Sequence, residues 1–233
     1  MKAKTYIIGD VHGCLGPLHA LIDQFPEKEN SNIIFTGDLI GKGKHSAQVL
    51  ELIIHRGYRS VKGNHEMMMH ESYSVSQHMN TKKFSRKKQL WYDNGGDTIL
   101  ESYDLPYAGD LMEHLLWIEK LPHYIESESK DSEGKTLFVT HGYGLPYYKR
   151  KNEKSIELMT NRISRIVFTD YEKGYTEYPV FNVFGHDPHS EVVMTNNYAV
   201  IDTGCVYYKE EIPTYLSALE WPSKKLFLQP YLG

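Results

Sequence analysis

Short clusters of Gly, His and Asp recur along this chain, and each offers an oxygen or imidazole donor. The five clusters are Gly-Asp-Val-His-Gly at 9–13, Gly-Asp-Leu at 37–39, Gly-Asn-His-Glu at 63–66, Val-Thr-His-Gly at 139–142 and Phe-Gly-His at 184–186. The donors that they supply are Asp10, His12, Asp38, Asn64, His141 and His186. A mixed nitrogen and oxygen set without thiolates suits Mn²⁺, Fe or Zn²⁺. One such cluster has no diagnostic value, but five together predict a metal centre.

The donors are numerous enough for two divalent ions that share a carboxylate. Two ions about 3.5–4 Å apart need a bridging carboxylate, further donors and one shared solvent molecule, whose pKa they lower. Asp10 and Asp38 follow adjacent predicted strands, so one of them can bridge the ions. His12 can reach the same ion as Asp10, and His141 and His186 complete the second ion. Phosphoryl transfer suits this arrangement best, because two ions can hold both the attacking oxygen and a phosphate oxygen.

Residues beside the donors are expected to serve the substrate. His65 follows Asn64 at a tight turn, where adjacent side chains point apart, so we expect His65 to face the leaving group as a general acid. Lys42, Lys62 and Arg162 are predicted to neutralise phosphate oxygens. An Arg offers a bidentate fork for this purpose, whereas a Lys offers a point charge.

The first third of the chain predicts the elements that position these residues. Its alternating strands and helices are predicted at Thr5–Ile8, Leu18–Phe25, Asn32–Thr36, Ala47–His55 and Arg59–Val61. Ser46 is expected to be the N-cap of the second helix, because its hydroxyl can accept a hydrogen bond from a free backbone N–H. This βαβαβ series places polar residues at the carboxyl ends of parallel strands, where α/β folds build their sites.

The rest of the chain predicts helices first and strands afterwards. Helices are expected at Glu66–Val75, shortly after Trp91–Asp97 and at Leu111–Leu121. The predicted strands are Tyr124–Glu128, Thr136–Val139, Val180–Phe184, Glu191–Thr195, Tyr198–Ile201, Tyr215–Leu219 and Lys225–Gln229. Donors come from both halves and no linker separates them, so we expect one domain over residues 1–233, with a loop-rich insertion near the site at 144–178.

The composition is that of an ordinary globular protein. The chain has 233 residues, of which 40% are hydrophobic and 24% charged, and its net charge is −4. This charge gives no reason to expect nucleic acid or a membrane surface as a partner. No apolar run reaches about 18 residues, and the amino-terminal residues lead straight into a predicted strand. We therefore expect a cytoplasmic protein without a signal sequence, and the sequence favours no particular oligomeric state.

The order of the five clusters resembles the calcineurin-like metallophosphoesterase superfamily, and within it the phosphoprotein phosphatases. Longer strings are similar to those of the phage and bacterial serine/threonine protein phosphatases. They are Trp91 with Asn94-Gly95-Gly96, Asn161-Arg162-Ile163-Ser164, Phe184-Gly185-His186 and Ile201-Asp202-Thr203-Gly204. The resemblance implies an α/β fold, a four-layer metallophosphoesterase sandwich of two mixed β-sheets flanked by helices.

The same resemblance implies a dinuclear centre that is usually assayed with Mn²⁺. It places Asp10, His12 and Asp38 at one ion. It places Asp38, Asn64, His141 and His186 at the other. It also implies that His65 is the acid, that basic residues at positions 42, 62 and 162 grip phosphate, and that the substrate is a phosphorylated serine or threonine in a protein.

Three features depart from the usual pattern of these phosphatases. The string after the second Gly-Asp normally contains an Asp that pairs with the general-acid histidine, but here that position is Gly41. Lys42 and Lys62 replace two arginines, and the usual His-Ala-Gly is His141-Gly142-Tyr143. None of these changes removes a predicted metal ligand, so they bear on rate and substrate.

Two alternatives therefore stay open. The symmetrical diadenosine tetraphosphate hydrolases also begin with a Gly-Asp-Val-His-Gly-Cys string, tolerate a non-acidic residue at the position of Gly41 and carry a string like Asp202–Cys205. Against them stand the Gly-Asn-His-Glu string, in place of their Gly-Asn-His-Asp, and the Asn94-Gly95-Gly96 element. The other alternative is a metal-binding regulatory protein with impaired catalysis.

Overall fold

Two five-stranded β-sheets with helices at their flanks form the fold. The computed structural model describes residues 4–74, 82–153, 156–163, 178–207 and 214–231. Both sheets contain parallel and antiparallel pairs. This is the mixed, helix-flanked arrangement that the family resemblance implied. Residues 154–155 and 164–177 of the expected insertion lie outside the described residues.

The first sheet has the strand order β10-β9-β1-β2-β3. Strands β1, β2 and β3 run parallel, β9 pairs antiparallel with β1, and β10 pairs antiparallel with β9. Because β1 and β2 are parallel neighbours, the residues that follow them emerge at the same edge of the sheet. The bounds are β1 Thr5–Ile8, β2 Asn32–Phe35, β3 Arg59–Ser60, β9 Thr214–Trp221 and β10 Lys225–Tyr231.

The second sheet has the order β4-β5-β6-β8-β7. Its central strands β5, β6 and β8 are parallel, and β4 and β7 pair antiparallel at the two edges. The predicted donors of the second half follow β5 and β6 directly. The bounds are β4 Tyr124–Lys130, β5 Thr136–Thr140, β6 Val180–Phe184, β7 Val193–Met194 and β8 Tyr198–Val200.

The helices lie mostly in the first half of the chain, as predicted. They are α1 Leu15–Ile22, α2 Ser46–His55, α3 Asn64–Ser74, α4 Lys82–Asp93, α5 Gly96–Ser102, α6 Leu111–Glu119 and α7 Glu157–Thr160. Short 3₁₀ segments lie at Lys28–Asn30, Leu145–Glu153 and Cys205–Tyr207. Within the described ranges, none of the helices has the length and apolar run required to span a bilayer.

The starts of α1, α2 and α3 lie one to three residues before the predicted ones. Helix α1 begins at Leu15, three residues earlier than expected. Pro17 lies inside its first turn, where backbone N–H groups have no acceptor within the helix, so the missing N–H of proline costs no hydrogen bond. The expected N-cap role of Ser46 is wrong. His45 holds that position without a side-chain cap, and the Ser46 hydroxyl instead accepts a hydrogen bond from the Gly41 N–H at 3.1 Å. Ser46 therefore braces the loop that follows Asp38.

The core lies on both faces of each sheet. One buried cluster, which includes Ile7, Ile34, Leu137 and Val183, fills the space between the two sheets. A larger cluster packs α1, α2 and the later helices on the outer face of the first sheet. A third cluster, around Phe138, covers the outer face of the second sheet. The sheets are thus fixed face to face, and their strand ends meet at one site.

Candidate metal centre

Asp38 lies at the point where the strand ends of the two sheets meet. It follows β2, and its carbonyl oxygen accepts hydrogen bonds from the N–H groups of Val11 and His12, at 3.1 and 2.9 Å. These bonds tie the loop after β1 to the loop after β2. Three imidazoles face the Asp38 carboxylate, from His141 at 3.3 Å, His12 at 3.8 Å and His65 at 3.9 Å. The last two distances exceed hydrogen-bond length, so these rings surround the carboxylate without bonding to it.

His12 and His141 each have the orientation of a metal ligand. His12 Nδ1 lies 3.0 Å from the carbonyl oxygen of Ile40, and His141 Nδ1 lies 2.8 Å from that of Thr36. Ligating histidines commonly donate one ring N–H to such an acceptor, which fixes the ring and presents the other nitrogen to the ion. In both residues Nε2 is the nitrogen that faces Asp38.

The second expected ligand group is brought together. Donor atoms of Asp38, His141 and His186 lie within 4.8 Å of one another. Asn64 Oδ1 is 3.0 Å from His141 Nε2. With His141 Nδ1 donating to Thr36, its Nε2 faces two oxygens, and a cation between them would satisfy all three atoms. Asp38, Asn64, His141 and His186 therefore fit a divalent ion.

The first group differs from the expected one. Donor atoms of His12, Asp38 and His65 lie within 4.8 Å of one another, so His65 stands where Asp10 was expected. The Asp10 carboxylate is turned toward other partners, since it accepts from the Thr36 hydroxyl at 3.1 Å and from the His186 N–H at 3.0 Å. Asp10 is buried beside Asp38, and its role as a ligand stays a prediction.

The electrostatics of the centre favour a cation. Burial alone would lower the pKa of His141, but Asp38 and Asp10 outweigh it and raise that pKa to about 10. Burial would raise the pKa of Asp38, yet His141 and His65 hold it well below its usual range. Burial is the largest cause that lowers the pKa values of His12 and His186 to about 3, against the opposing effect of Asp38. These two imidazoles are therefore neutral and can act as ligands, and the carboxylates that favour a proton on His141 would equally favour a divalent ion in place of that proton.

Three of the predicted ligands have unusual backbone angles. His12, Asp38 and His186 have φ angles of +45°, +48° and +65°. Non-glycine residues adopt this region rarely, and they remain there only where the surrounding structure holds them. Here the strand ends and their cross-loop hydrogen bonds hold them.

Glu66 organises the loop around Asp38, a role that sequence reasoning missed. Its buried carboxylate accepts backbone N–H bonds from Asp38 at 2.9 Å, Leu39 at 2.8 Å, Ile40 at 3.3 Å and Gly63 at 2.9 Å. The loops after β2 and β3 are thereby fixed to one side chain. The position of Glu66 in the Gly-Asn-His-Glu cluster is the feature of the sequence that could have indicated this role.

Gly41 occupies the position of the usual acidic partner of the histidine, and the packing around it leaves little room for a side chain. A Cβ atom at this position would lie 2.7 Å from His12 Nδ1 and 2.9 Å from His65 Nδ1, and the φ angle is +141°. The two rings approach to 4.7 Å between centroids. Among the described residues, no group forms a hydrogen bond with the buried Nδ1 of His65. His65 thus lacks the fixed orientation that His12 and His141 have.

Two of the three predicted phosphate contacts, Lys42 and Lys62, bind other groups of the protein in this structure. Lys42 donates to the Tyr207 hydroxyl and lies 4.0 Å from the centroid of that ring. Lys62 Nζ donates to the carbonyl oxygen of Glu119 at 3.0 Å, at the end of α6. In this structure Lys62 therefore stabilises a helix end, and its contact with phosphate stays a prediction.

Arg162 lies beside the second ligand group. Its guanidinium forms an ion pair with Asp187 at 3.0 Å, and it contributes to the low pKa of His186. Asp187 is therefore a site neighbour that sequence reasoning missed, although it directly follows the predicted ligand His186. The partner of Lys42, Tyr207, has no comparable signal, because it is 165 residues away in sequence.

Asp202 completes the buried acidic cluster. Its carboxyl group is buried close to that of Asp10, and burial raises its pKa to about 6. The backbone N–H of Gly204 donates to Asp202 Oδ1 at 3.0 Å. The string Ile201-Asp202-Thr203-Gly204 was the signal in the sequence, and its acid lies near the acid of the first cluster.

The sequence profile of calcineurin-like phosphoesterases matches residues 3–190. The chain belongs to this family. Enzymes of this family use divalent metals, and the His and Asp groups around Asp38 lie where such ions would bind.

Curated relatives carry two kinds of name. A symmetrical bis(5'-nucleosyl)-tetraphosphatase from Buchnera aphidicola is 28% identical over 72% of this chain, and the match spans 55% of that relative. Serine/threonine-protein phosphatase 1 from Salmonella typhimurium is 26% identical over 87% of both chains. A crystal structure provisionally named a diadenosine tetraphosphatase superposes with a TM-score of 0.65 and 22% identity, covering 100% of this chain and 96% of its own. The last comparison confirms the fold.

Proposed function

We propose that this protein is a metal-dependent phosphoesterase whose main substrates are phosphorylated serine or threonine residues in proteins. The observation that supports this most directly is the convergence of three imidazoles on the Asp38 carboxylate, within 3.3–3.9 Å. Family membership supports phosphoester hydrolysis. The Gly-Asn-His-Glu string, with its Glu66 carboxylate on four backbone N–H groups, supports the phosphoprotein phosphatase type.

The chain's own donors would hold two divalent ions. Asp38, Asp10 and His12 would hold one ion, and Asp38, Asn64, His141 and His186 would hold the other. We expect Mn²⁺ in an assay, with Fe or Zn²⁺ as further candidates. When bound, such ions supply Lewis-acid activation of water and of the phosphate group.

Other side chains would serve the substrate. His65 is buried 3.9 Å from Asp38 and has no fixed partner at Nδ1 among the described residues, so it can donate a proton to a leaving oxygen. Arg162 would bind phosphate oxygens from the His186 side, and Lys42 from the His12 side. Lys62 is the third candidate contact. The substrate expected for such a site is a phosphoprotein or another phosphoester. The cytoplasmic location expected from the sequence stays a prediction.

The purified protein with Mn²⁺ tests this proposal directly. We expect it to release phosphate from p-nitrophenyl phosphate and from phosphoserine or phosphothreonine peptides, with activity lost on chelation and restored by Mn²⁺. His65→Gln should lower kcat more than KM, because it removes the proton donor and leaves the phosphate contacts in place. Failure to hydrolyse either substrate with Mn²⁺, Fe or Zn²⁺ would overturn the proposal.

A second candidate is a symmetrical dinucleoside tetraphosphate hydrolase. Gly41 and the string Asp202–Cys205 favour it, and so does the tetraphosphatase from Buchnera aphidicola among the relatives. Chromatography of a diadenosine tetraphosphate digest decides between the two. ADP as the main product, at a higher kcat/KM than for any phosphopeptide, would make this the primary function. A higher kcat/KM for phosphopeptides supports the first proposal.

A further inference from the structure

Asp187 contacts a predicted phosphate-binding residue but has no assigned role. Its Oδ1 accepts a hydrogen bond from Arg162 Nη1 at 3.0 Å. Its Oδ2 lies 4.0 Å from His189 Nε2, beyond hydrogen-bond length. The side chain is 13% exposed, whereas that of Arg162 is 39% exposed. A partly buried carboxylate thus holds one end of a more exposed guanidinium.

The backbone before Arg162 is docked onto the loop that carries His141. The Tyr143 N–H donates to the Asn161 carbonyl oxygen at 2.9 Å, and the Asn161 side-chain amide donates back to the Tyr143 carbonyl oxygen at 2.8 Å. The Gly142 N–H donates to the Leu158 carbonyl oxygen at 2.7 Å. Arg162 is therefore anchored beside the second ligand group.

A further contact joins the two loops of the second sheet. The Gly185 N–H donates to the His141 carbonyl oxygen at 2.9 Å. The loop that carries His141, on which the segment before Arg162 is docked, is therefore tied to the loop that carries His186 and Asp187. The backbone contacts fix the position of the Arg162 main chain, and the ion pair with Asp187 fixes the position of its guanidinium group.

The contact with Asp187 uses only part of the guanidinium. Arginine has five N–H donors in a planar fork, and within the described ranges a single hydrogen bond, from Nη1, is formed. As far as the described residues show, the other donors are available for an oxyanion. A long side chain that is well exposed loses much rotamer freedom when it binds a ligand, and a contact that restricts it beforehand reduces this loss.

We propose that Asp187 is a positioning residue for Arg162. It holds Nη1 so that the remaining N–H groups face a tetrahedral phosphate bound next to His141 and His186. This inference rests on the proposed function, in which Arg162 is a phosphate contact. The opposite possibility is that Asp187 competes with phosphate for the guanidinium, and the two predict changes of opposite sign.

Calorimetric binding of inorganic phosphate in the presence of Mn²⁺ separates these possibilities. We expect Arg162→Ala to weaken binding by about tenfold or more and Asp187→Ala by about fivefold. Asp187→Asn should lie between Asp187→Ala and the wild type, because its amide oxygen still accepts from Nη1. Adding Asp187→Ala to Arg162→Ala should cause no further loss, because Asp187 acts through the arginine. Tighter binding in Asp187→Ala, or an additive double variant, would overturn the inference.

Two further readouts distinguish a positioning role from a general structural one. Glu191→Ala removes an exposed carboxylate a few residues away and should leave phosphate affinity unchanged. Titration of Mn²⁺ should give the same affinity in Asp187→Ala as in the wild type, so a loss of metal binding there would contradict the inference.

Steady-state hydrolysis of p-nitrophenyl phosphate keeps this inference separate from the proposed function. We expect Asp187→Ala to raise KM and to leave kcat within about twofold, as loss of a ground-state contact does. If the wild type binds phosphate with the expected coupling but hydrolyses no ester, the proposed function fails and the positioning role stands. If hydrolysis proceeds and Asp187→Ala changes neither phosphate affinity nor KM, the positioning role fails alone.

Discussion

The loops of the first sheet and those of the second face each other across Asp38, yet they support their side chains differently. On the side of the second sheet, Arg162 has a carboxylate partner in Asp187, and the His141 ring is fixed through Nδ1. On the side of the first sheet, His65 Nδ1 is buried without a partner among the described residues, and the Lys42 side chain lies against the Tyr207 ring.

This difference separates metal binding from substrate handling. The loops at the strand ends of the first sheet (the first side) and those of the second sheet (the second side) both contribute predicted ligands, so neither side alone can complete the metal centre. The groups around the ligands depart from the usual phosphatase pattern on the first side, at Gly41 and Lys42. The second side keeps an arginine, Arg162, as a predicted phosphate contact. We therefore expect the second side to contribute more to phosphate binding.

Replacing the residue shared by both sides should have the largest effect. Asp38→Asn keeps the size of the side chain but removes the charge that both ions would share. We expect a loss of more than about a hundredfold in the hydrolysis of p-nitrophenyl phosphate. Metal analysis should show a reduced Mn²⁺ content. Asp104→Asn, at an exposed aspartate, is the control, and near wild-type activity in Asp38→Asn would show that the two sides do not share this residue.

Removing the brace on the first side should destabilise the fold. Glu66→Ala leaves four backbone N–H groups of the β2 and β3 loops without their acceptor. We expect the free energy of unfolding to fall by about 3 kcal/mol, measured by urea denaturation. Glu66→Gln should lose less, because one oxygen remains. A change in Glu66→Ala no larger than in the exposed Glu101→Ala would show that these bonds do not hold the first side.

Restoring the usual acid on the first side should reduce activity. Gly41→Asp introduces a Cβ that would lie within 3 Å of the His12 and His65 rings, at a φ angle that side chains rarely adopt. We expect kcat to fall by about tenfold or more as these rings are displaced. Gly16→Ala is the matched control, since a Cβ there meets no atom within 4 Å. A rise in kcat for Gly41→Asp would instead show that the first side accepts the acid that its relatives use.

The two cations should differ in their effect on substrate affinity. We expect Arg162→Ala to raise KM by about tenfold and Lys42→Ala by about threefold, because arginine binds phosphate through a fork and lysine as a point charge. Tyr207→Phe should change KM least, since the ring contact with Lys42 remains. Steady-state kinetics with p-nitrophenyl phosphate provide the measurement. A larger effect of Lys42→Ala would reverse the comparison between the two sides.

The sequence predicted the parts of the centre that are encoded locally. Asp10, Asp38 and His141 each follow a short apolar strand, and parallel strands bring such residues to one edge. The family resemblance then implied the two sheets. The strand positions were therefore predictable from short windows of the chain, and most bounds agreed within a few residues.

Contacts between distant segments were not predictable in this way. The partners of Lys42 and Lys62, Tyr207 and Glu119, lie far along the chain, and no spacing rule connects them. The turn of Asp10 toward the His186 N–H likewise depends on the packing of the second sheet. Side-chain direction at a strand end is a tertiary property, whereas the presence of the strand end is a local one.

Anomalous diffraction from crystals soaked in Mn²⁺ tests most directly that the two sides share Asp38. We predict two peaks about 3.5–4 Å apart, one on each side of the Asp38 carboxylate. One peak should lie beside His12, and the other between Asn64, His141 and His186. A single peak, or peaks away from Asp38, would contradict the shared centre.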